Sequence, residues 1–127
     1  MPTLNELLTE IKRKSRTTLE EVDEAERIYL EMWSQIDTAD LLFANLQPLV
    51  LAARSLEQDY KSLANQAWGS AGVELNRTTV DAADVRRKYV EAKALYEKAA
   101  NFQGQLVLFR QLGFYQPGYR PNAPSDS

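Results

Sequence analysis

Cysteine and histidine are both absent from this sequence. Without cysteine there is no disulfide, no thiol nucleophile and no thiolate ligand for zinc. Without histidine there is no Ser-His-Asp triad, no imidazole general base and no Glu-x-x-His motif of the kind that holds di-iron centres in helical bundles. Aspartate, glutamate, lysine and tyrosine remain as catalytic residue types, but they form no recognised catalytic motif. We therefore expect no enzymatic activity, no metal site and no cofactor.

Long apolar runs and a surplus of positive charge are also missing. No run approaches the roughly twenty apolar residues that cross a bilayer, and the opening residues lack the basic-then-apolar order of a secretory signal. We therefore expect the protein to stay in the cytoplasm, where it is made, and to have no membrane partner. The net charge of -3 argues against nucleic acid as a general partner, since neutralising phosphates requires a positive surplus.

What the sequence does contain is helical periodicity. Its 127 residues are 44% hydrophobic and 26% charged, which is typical of one globular domain. Apolar residues recur at steps of three and four up to residue 113, as they do on the buried face of a helix. The sequence predicts an all-α fold. Residues 1–113 form an elongated antiparallel bundle of about three long helices with a short N-terminal helix, and residues 114–127 form an extended C-terminal arm.

Two capping boxes predict helix starts near the N-terminus. They are Thr3 with Glu6 and Thr18 with Glu21, pairs in which each side chain bonds the backbone N–H of the other residue. The apolar positions of the two segments share one register, so a single helix over 3–36 is also geometrically possible. We favour a break near 15–18, because serine and threonine side chains there compete for backbone hydrogen bonds.

The longest apolar pattern runs from residue 38 to residue 68 and predicts the central helix. Residues 37–38 supply an N-cap. Pro48 predicts a kink, because proline removes a backbone hydrogen bond while the apolar register continues across it. Gly69 and Gly72 are expected to end the helix.

A loop over 69–78 and a further helix complete the predicted bundle. Trp68 is expected to close the end of the core just before that loop. Thr79 supplies the N-cap of the last long helix, and residues 106–112 either continue this helix or form a short extra helix ending at Gly113. The predicted buried face of the last long helix consists of Ala82, Val85, Tyr89, Ala92, Tyr96 and Ala99.

Two clusters of positive charge interrupt the acidic balance. The first is expected to pair within the chain or with a neighbouring subunit, and it is our candidate basic contact for a partner. It consists of Lys12, Arg13, Lys14 and Arg16. The second, residues 86–88, is expected to be an exposed helix face with acidic neighbours. The acidic residues between 20 and 26 predict a solvated first helical turn, with a docking surface for a basic partner as the alternative.

The C-terminal arm carries a distinct signal. Three aromatic residues, Phe114, Tyr115 and Tyr119, fall within six positions, and the prolines at 117, 121 and 124 exclude a helix. Aromatic side chains in an extended terminal segment are typical anchors for another chain. We therefore predict that these aromatics, together with Arg120, bind a partner.

Together these features favour a protein that acts through contacts with other proteins. We expect a non-enzymatic structural or assembly subunit of a homo- or hetero-oligomer, which packs through amphipathic helices and docks residues 114–127 on neighbouring subunits. This organisation resembles that of the small helical neck adaptors of phages, which implies a phage virion component in the head, neck or tail. One alternative is a cytosolic helical adaptor or regulatory protein that binds one protein partner. A second is a small nucleic-acid-binding helical protein that uses both basic clusters.

Overall fold

The computed structural model describes residues 2–13, 16–36 and 46–113. In these ranges the chain forms four helices and no strand: α1 (Leu4–Arg13), α2 (Leu19–Ser34), α3 (Gln47–Leu75) and α4 (Ala82–Gly113). The helices pack against one another, so the protein is an all-α bundle with a short N-terminal helix, as the sequence predicts. The C-terminal arm lies outside the described residues.

Both predicted capping boxes are present. The Thr3 N–H donates to Glu6 Oε1 and the Glu6 N–H donates to Thr3 Oγ1, each at 3.2 Å. Thr18 and Glu21 make the same reciprocal pair, again at 3.2 Å in both directions. Each box satisfies backbone donors that have no partner within their own helix. α1 and α2 are therefore separate helices, and the alternative of one helix over 3–36 is wrong.

The start of α3 differs from the prediction. Pro48 lies in the first turn of α3, which begins at Gln47 after the N-cap Leu46. The N–H groups of a first turn have no intrahelical acceptor, so proline fits there without losing a hydrogen bond. The predicted N-cap and the first apolar position, Leu42, lie outside the described residues.

The end of α3 also differs from the prediction. The helix continues through Gly69 and Gly72 to Leu75, and Ala71 and Glu74 in these turns are buried. Such packing outweighs the cost of glycine in a helix, about 1 kcal/mol per residue. The loop is therefore shorter than predicted and spans 76–81.

Two carboxylates organise this loop. Glu74 is 4% exposed, and its Oε1 accepts the Asp81 N–H at 3.0 Å while its Oε2 pairs with Arg77 Nε at 3.2 Å. Asp81 Oδ1 accepts the Asp84 N–H at 3.2 Å and so caps α4. The prediction that Thr79 caps this helix is wrong.

α4 then runs unbroken to Gly113, so residues 106–112 continue it and form no extra helix.

α3 and α4 form a long antiparallel pair. At 1.5 Å per residue they are about 44 and 48 Å long, yet no helix in the described ranges is apolar enough to cross a membrane. Residue numbers rise along α3 as they fall along α4 in the contacts between them, which are Tyr60 with Phe102, Asn65 with Tyr96, and Trp68 with Tyr89. α1 and α2 pack on this pair, and α2 runs parallel to α4, with contacts from Tyr29 to Phe102 and from Trp33 to Phe109.

The core lies where α1 and α2 meet the α3–α4 pair. Most apolar positions predicted from the periodicity of the first three helices are buried there. The largest fully buried side chains are Tyr29, Tyr60, Phe102, Ile11, Met32, Leu46, Leu49, Leu56 and Val22. On α4 the prediction is correct for Ala92 and Ala99, which are buried. It is wrong for Ala82, Tyr89 and Tyr96, which are exposed, and Val85 is half-buried. α4 therefore has exposed apolar surface that the described part of the bundle does not use.

Candidate functional site

The side of the α3–α4 pair that faces α2 is a closed core with a small polar network at its edge. The Tyr60 hydroxyl donates to Asp23 Oδ1 at 2.7 Å and lies 3.0 Å from Glu26 Oε1. Lys98 Nζ pairs with the same Glu26 oxygen at 2.7 Å and lies 5.5 Å from the centre of the Tyr60 ring. Burial, with the two carboxylates, raises the pKa of Tyr60 well above its ordinary value. Each polar group has a partner, so the network joins α2, α3 and α4 structurally.

Tyr29 is the second buried tyrosine of this closed side. Its ring packs edge-on against Phe102 with centroids 5.5 Å apart, and its hydroxyl donates to Gln105 Oε1. Burial raises the pKa of Tyr29 to about 12. The phenol therefore keeps the proton that it donates to Gln105 even at moderately alkaline pH.

Arg16 shows that the first basic cluster is divided. Its side chain is 7% exposed, and its Nε pairs with Asp59 Oδ2 at 2.8 Å. Its other nitrogens donate to Ser55 Oγ at 3.0 Å and to the Ile11 carbonyl oxygen. Arg16 therefore ties the segment between α1 and α2 to α3.

The remaining members of that cluster lie elsewhere. Lys12 and Arg13 are exposed in the last turn of α1, where cations interact favourably with the helix dipole. Arg13 pairs with Glu10 at 2.8 Å. Lys14 lies outside the described residues, as do Phe114, Tyr115, Tyr119 and Arg120. The structure thus separates Arg16 from its exposed neighbours and leaves the roles predicted for the others as predictions.

In the second basic cluster Arg86 and Arg87 are exposed, as predicted, whereas Lys88 is half-buried. Arg87 pairs with Asp84, and Lys88 Nζ lies 2.9 Å from Asp84 Oδ2. Hydrogen bonds from these two cations, of which the one from Lys88 has the larger effect, hold the pKa of the Asp84 carboxyl below its usual value. Arg86 is exposed on the same turn. Because Asp84 neutralises part of this charge, the cluster is a weak candidate for binding phosphate groups.

The acidic residues of α2 have several separate structural roles. Glu21 completes the capping box, while Asp23 and Glu26 serve the Tyr60 network. Glu24 pairs with Arg27, and this hydrogen bond lowers the pKa of Glu24. Glu20 is exposed in the first turn. Within the described ranges, no three acidic side chains are grouped so that they could hold a metal ion.

The other side of the α3–α4 pair carries an open groove of about 430 Å³. Its lining is aromatic and small apolar side chains with one cation and one anion: Trp68, Tyr89, Ala92, Lys93, Tyr96, Glu97 and Ala100. Trp68 is 49% exposed and its ring lies edge-on to Tyr89, with centroids 5.8 Å apart. Tyr96 is 37% exposed, and its hydroxyl contacts Asn65 Oδ1 on α3. Trp68 therefore forms a groove wall, and the prediction that it closes the core is wrong.

The groove lies on the side of α4 away from α2. With 3.6 residues per turn, positions 98, 102 and 109, which contact α2, fall on one side of the helix. Positions 93, 96 and 100 fall on the other. No part of the chain in the described ranges covers them. α2 thus covers one side of α4 around positions 98–109 and leaves the groove side open.

Sequence reasoning missed the groove although the sequence holds a signal for it. Two lines of positions run along α4 at steps of three and four. One contains Ala92, Leu95, Ala99 and Phe102, which are buried. The other contains Tyr89, Lys93, Tyr96, Ala100 and, two turns further on, Val107, and its tyrosines and valine are exposed. Apolar residues on more than one side of a helix indicate that the helix packs against neighbours on more than one side.

Lys93 and Glu97 supply the only charges of the groove lining. Within the described ranges neither side chain makes a hydrogen bond or an ion pair. Both are exposed one turn apart on α4, so a ligand can pair with either without displacing a partner that the described ranges contain. The groove therefore offers aromatic walls, a floor of small residues and two charges that no described side chain neutralises.

Comparisons of this chain with protein-family models, curated proteins and solved structures gave no match.

Proposed function

We propose that this protein is a non-enzymatic assembly subunit that packs through its helices and docks its C-terminal arm on neighbouring subunits. The observation that supports this most is the exposed second apolar line of α4. The protein exposes Trp68, Tyr89 and Tyr96 next to one another, and aromatic residues of this type are enriched where protein surfaces bind.

The arm supplies the second element of the proposal. Its aromatic residues follow directly on α4, and its prolines favour an extended conformation with little entropy to lose on binding. An exposed apolar surface and a terminal segment rich in aromatic residues are what a subunit needs in order to connect to its neighbours. A virion component, such as a phage head, neck or tail subunit, is the specific form of this proposal.

Limited proteolysis of the full chain tests it. Chymotrypsin cleaves after Phe114, Tyr115 and Tyr119, and mass spectrometry measures how fast the arm is lost. We expect the arm to be lost rapidly from the dilute chain. We expect it to be protected at high concentration, and in native material, meaning the protein as isolated from its natural source, because neighbouring subunits hold the arm there. Trypsin cleavage after Arg77, in the 76–81 loop, is the internal control and is expected to keep one rate throughout.

Two results would overturn the proposal. If the chain stays monomeric in sedimentation at every concentration and the arm is cut at one rate in all samples, including the native material, the protein is not an assembly subunit. If the arm resists chymotrypsin in the dilute monomer, it folds on its own bundle, and the alternative of a helical adaptor or regulatory protein replaces the proposal.

A further inference from the structure

We propose that the groove between α3 and α4 is the receptor for residues 114–127 of a second copy of this chain. The inference rests on the proposed function and deepens it, since it names the surface on which the arm docks.

The chemistry of the groove matches that of the arm. Grooves with aromatic walls bind proline-rich extended segments, because the flat rings stack on proline and the segment is already extended. Trp68, Tyr89 and Tyr96 provide such walls, and the small residues Ala92 and Ala100 leave room between them. The arm offers three prolines and Tyr119 within residues 117–124.

The charges are complementary as well. Arg120 is the sole cationic side chain of residues 114–127. Glu97 lies in the groove without a hydrogen bond or ion pair in the described ranges. A guanidinium can bind a carboxylate through two parallel hydrogen bonds, which fixes the register of the arm as well as its orientation. We therefore assign Arg120 to Glu97.

The length of the arm favours a second copy over the same chain. Tyr119 lies six residues beyond Gly113, so it can reach at most about 21 Å even when fully extended. Measured back along α4, Ala100 is about 20 Å from Gly113 and Tyr89 is about 36 Å away. Within its own chain the arm therefore leaves all its aromatic residues short of the Trp68–Tyr89 end of the groove. Arg120 of the same chain, with a reach of about 25 Å, meets Glu97, about 24 Å from Gly113, only if no residue is used to reverse the direction of the chain. The arm of another copy has no such limit.

A charge exchange in the full chain tests the assignment. Glu97→Arg and Arg120→Glu each place like charges together, and each is expected to raise the dissociation constant of self-association about fivefold, the range of partly exposed ion pairs. An equimolar mixture of the two variants should recover the wild-type constant, because each arm then finds a groove of opposite charge on the other variant. Sedimentation velocity measures all three samples.

Glu91→Arg is the matched control. Glu91 is an exposed acid on α4 that does not line the groove, so its reversal should leave association unchanged. Far-ultraviolet circular dichroism of every variant should match that of the wild-type chain, since all three positions are at the surface or in the arm.

Each remaining outcome overturns a defined part of the proposal. If the chain associates but neither reversal weakens it, the groove does not receive the arm, and the assembly function stands without this receptor. If both reversals weaken association and the mixture fails to recover, Arg120 and Glu97 do not meet between copies, and the inference is wrong. If the wild-type chain does not associate at any concentration, a second copy is not the occupant of the groove. Arm protection in native material then decides the proposed function separately.

Discussion

The two sides of the α3–α4 pair carry similar residues in different states. On the side facing α2, Tyr29, Tyr60 and Phe102 are buried, and each buried hydroxyl has a hydrogen-bond partner. On the groove side, Trp68 and Tyr89 contact each other and are half exposed. The difference is the presence of α2, because both sides begin from apolar lines on the same helix. One chain thus has more apolar helix surface than its described helices cover.

The largest effect should come from truncating the covered side. Phe102→Ala removes a ring that is 2% exposed and contacts both buried tyrosines, so we expect a loss of about 4 kcal/mol in the free energy of unfolding. Tyr96→Ala, on the groove side of the same helix, should cost about 1 kcal/mol in dilute solution. Urea unfolding followed by circular dichroism measures both, and similar losses would remove the contrast between the two sides.

The buried ion pair should give the next largest effect. Arg16→Ala leaves Asp59 without its guanidinium partner in a largely buried position, and we expect a loss of about 2 to 3 kcal/mol. Arg13→Ala is the matched control, since Arg13 pairs with Glu10 at the exposed surface and such pairs contribute about 0 to 1 kcal/mol. A small effect of Arg16→Ala in urea unfolding would contradict the assignment of this side chain to the interior.

Alkaline pH should weaken the covered side selectively. The pKa of Tyr29 is raised to about 12, and that of Tyr60 is raised as well. In the unfolded chain the pKa of tyrosine is about 10. The folded state therefore holds these protons more tightly. Their stabilising contribution is complete below about pH 10 and is lost as the pH rises through the folded values. Tyrosinate absorbance should show a component that titrates above the unfolded value, and this component should shrink by one group in Tyr29→Phe.

The smallest effect on folding should come from the groove. Trp68→Ala removes a half-exposed ring that packs edge-on against Tyr89, so we expect a loss of about 1 kcal/mol in dilute solution. Its effect on self-association should be larger, because aromatic residues at the centre of an interface commonly contribute more than 1 kcal/mol to binding. Urea unfolding and sedimentation of the same variant compare the two quantities. A change in unfolding without a change in association would make Trp68 a structural residue.

Local signals predicted the first half of the described fold well. Each capping box depends on residues three positions apart, so Thr3, Glu6, Thr18 and Glu21 determine their helix starts with no information from the rest of the chain. The apolar faces of α1 and α2 follow from periodicity for the same reason. These helices are short, and the predictions needed no knowledge of what packs on them.

Predictions failed where contacts distant in sequence decide the structure. Gly72 is an apparent helix stop, but the helix continues past it to Glu74, whose buried carboxylate binds Asp81 and Arg77 of the following loop. Arg16 resembles the exposed cations beside it in sequence, but its partner Asp59 lies on α3. Pro48 is compatible with either a kink or a helix start, and the choice depends on where the preceding segment leads.

The groove was predictable in part. The second line of α4 positions is visible in the sequence, but periodicity alone cannot say which of two apolar lines faces the bundle. That choice depends on α2, whose Tyr29 and Trp33 contact Phe102 and Phe109. Trp68 is on α3, so its position beside Tyr89 follows from the pairing of two helices and not from either one.

The central claim is that association covers the groove, and the fluorescence of Trp68 tests it most directly. The chain has two tryptophans, and Trp33→Phe keeps an aromatic ring against Phe109 while leaving Trp68 as the single reporter. As the concentration of this variant rises, we expect larger species in sedimentation and, over the same range, a shift of Trp68 emission to shorter wavelength. Larger species with unchanged Trp68 emission would show that association uses another surface, and would contradict the account.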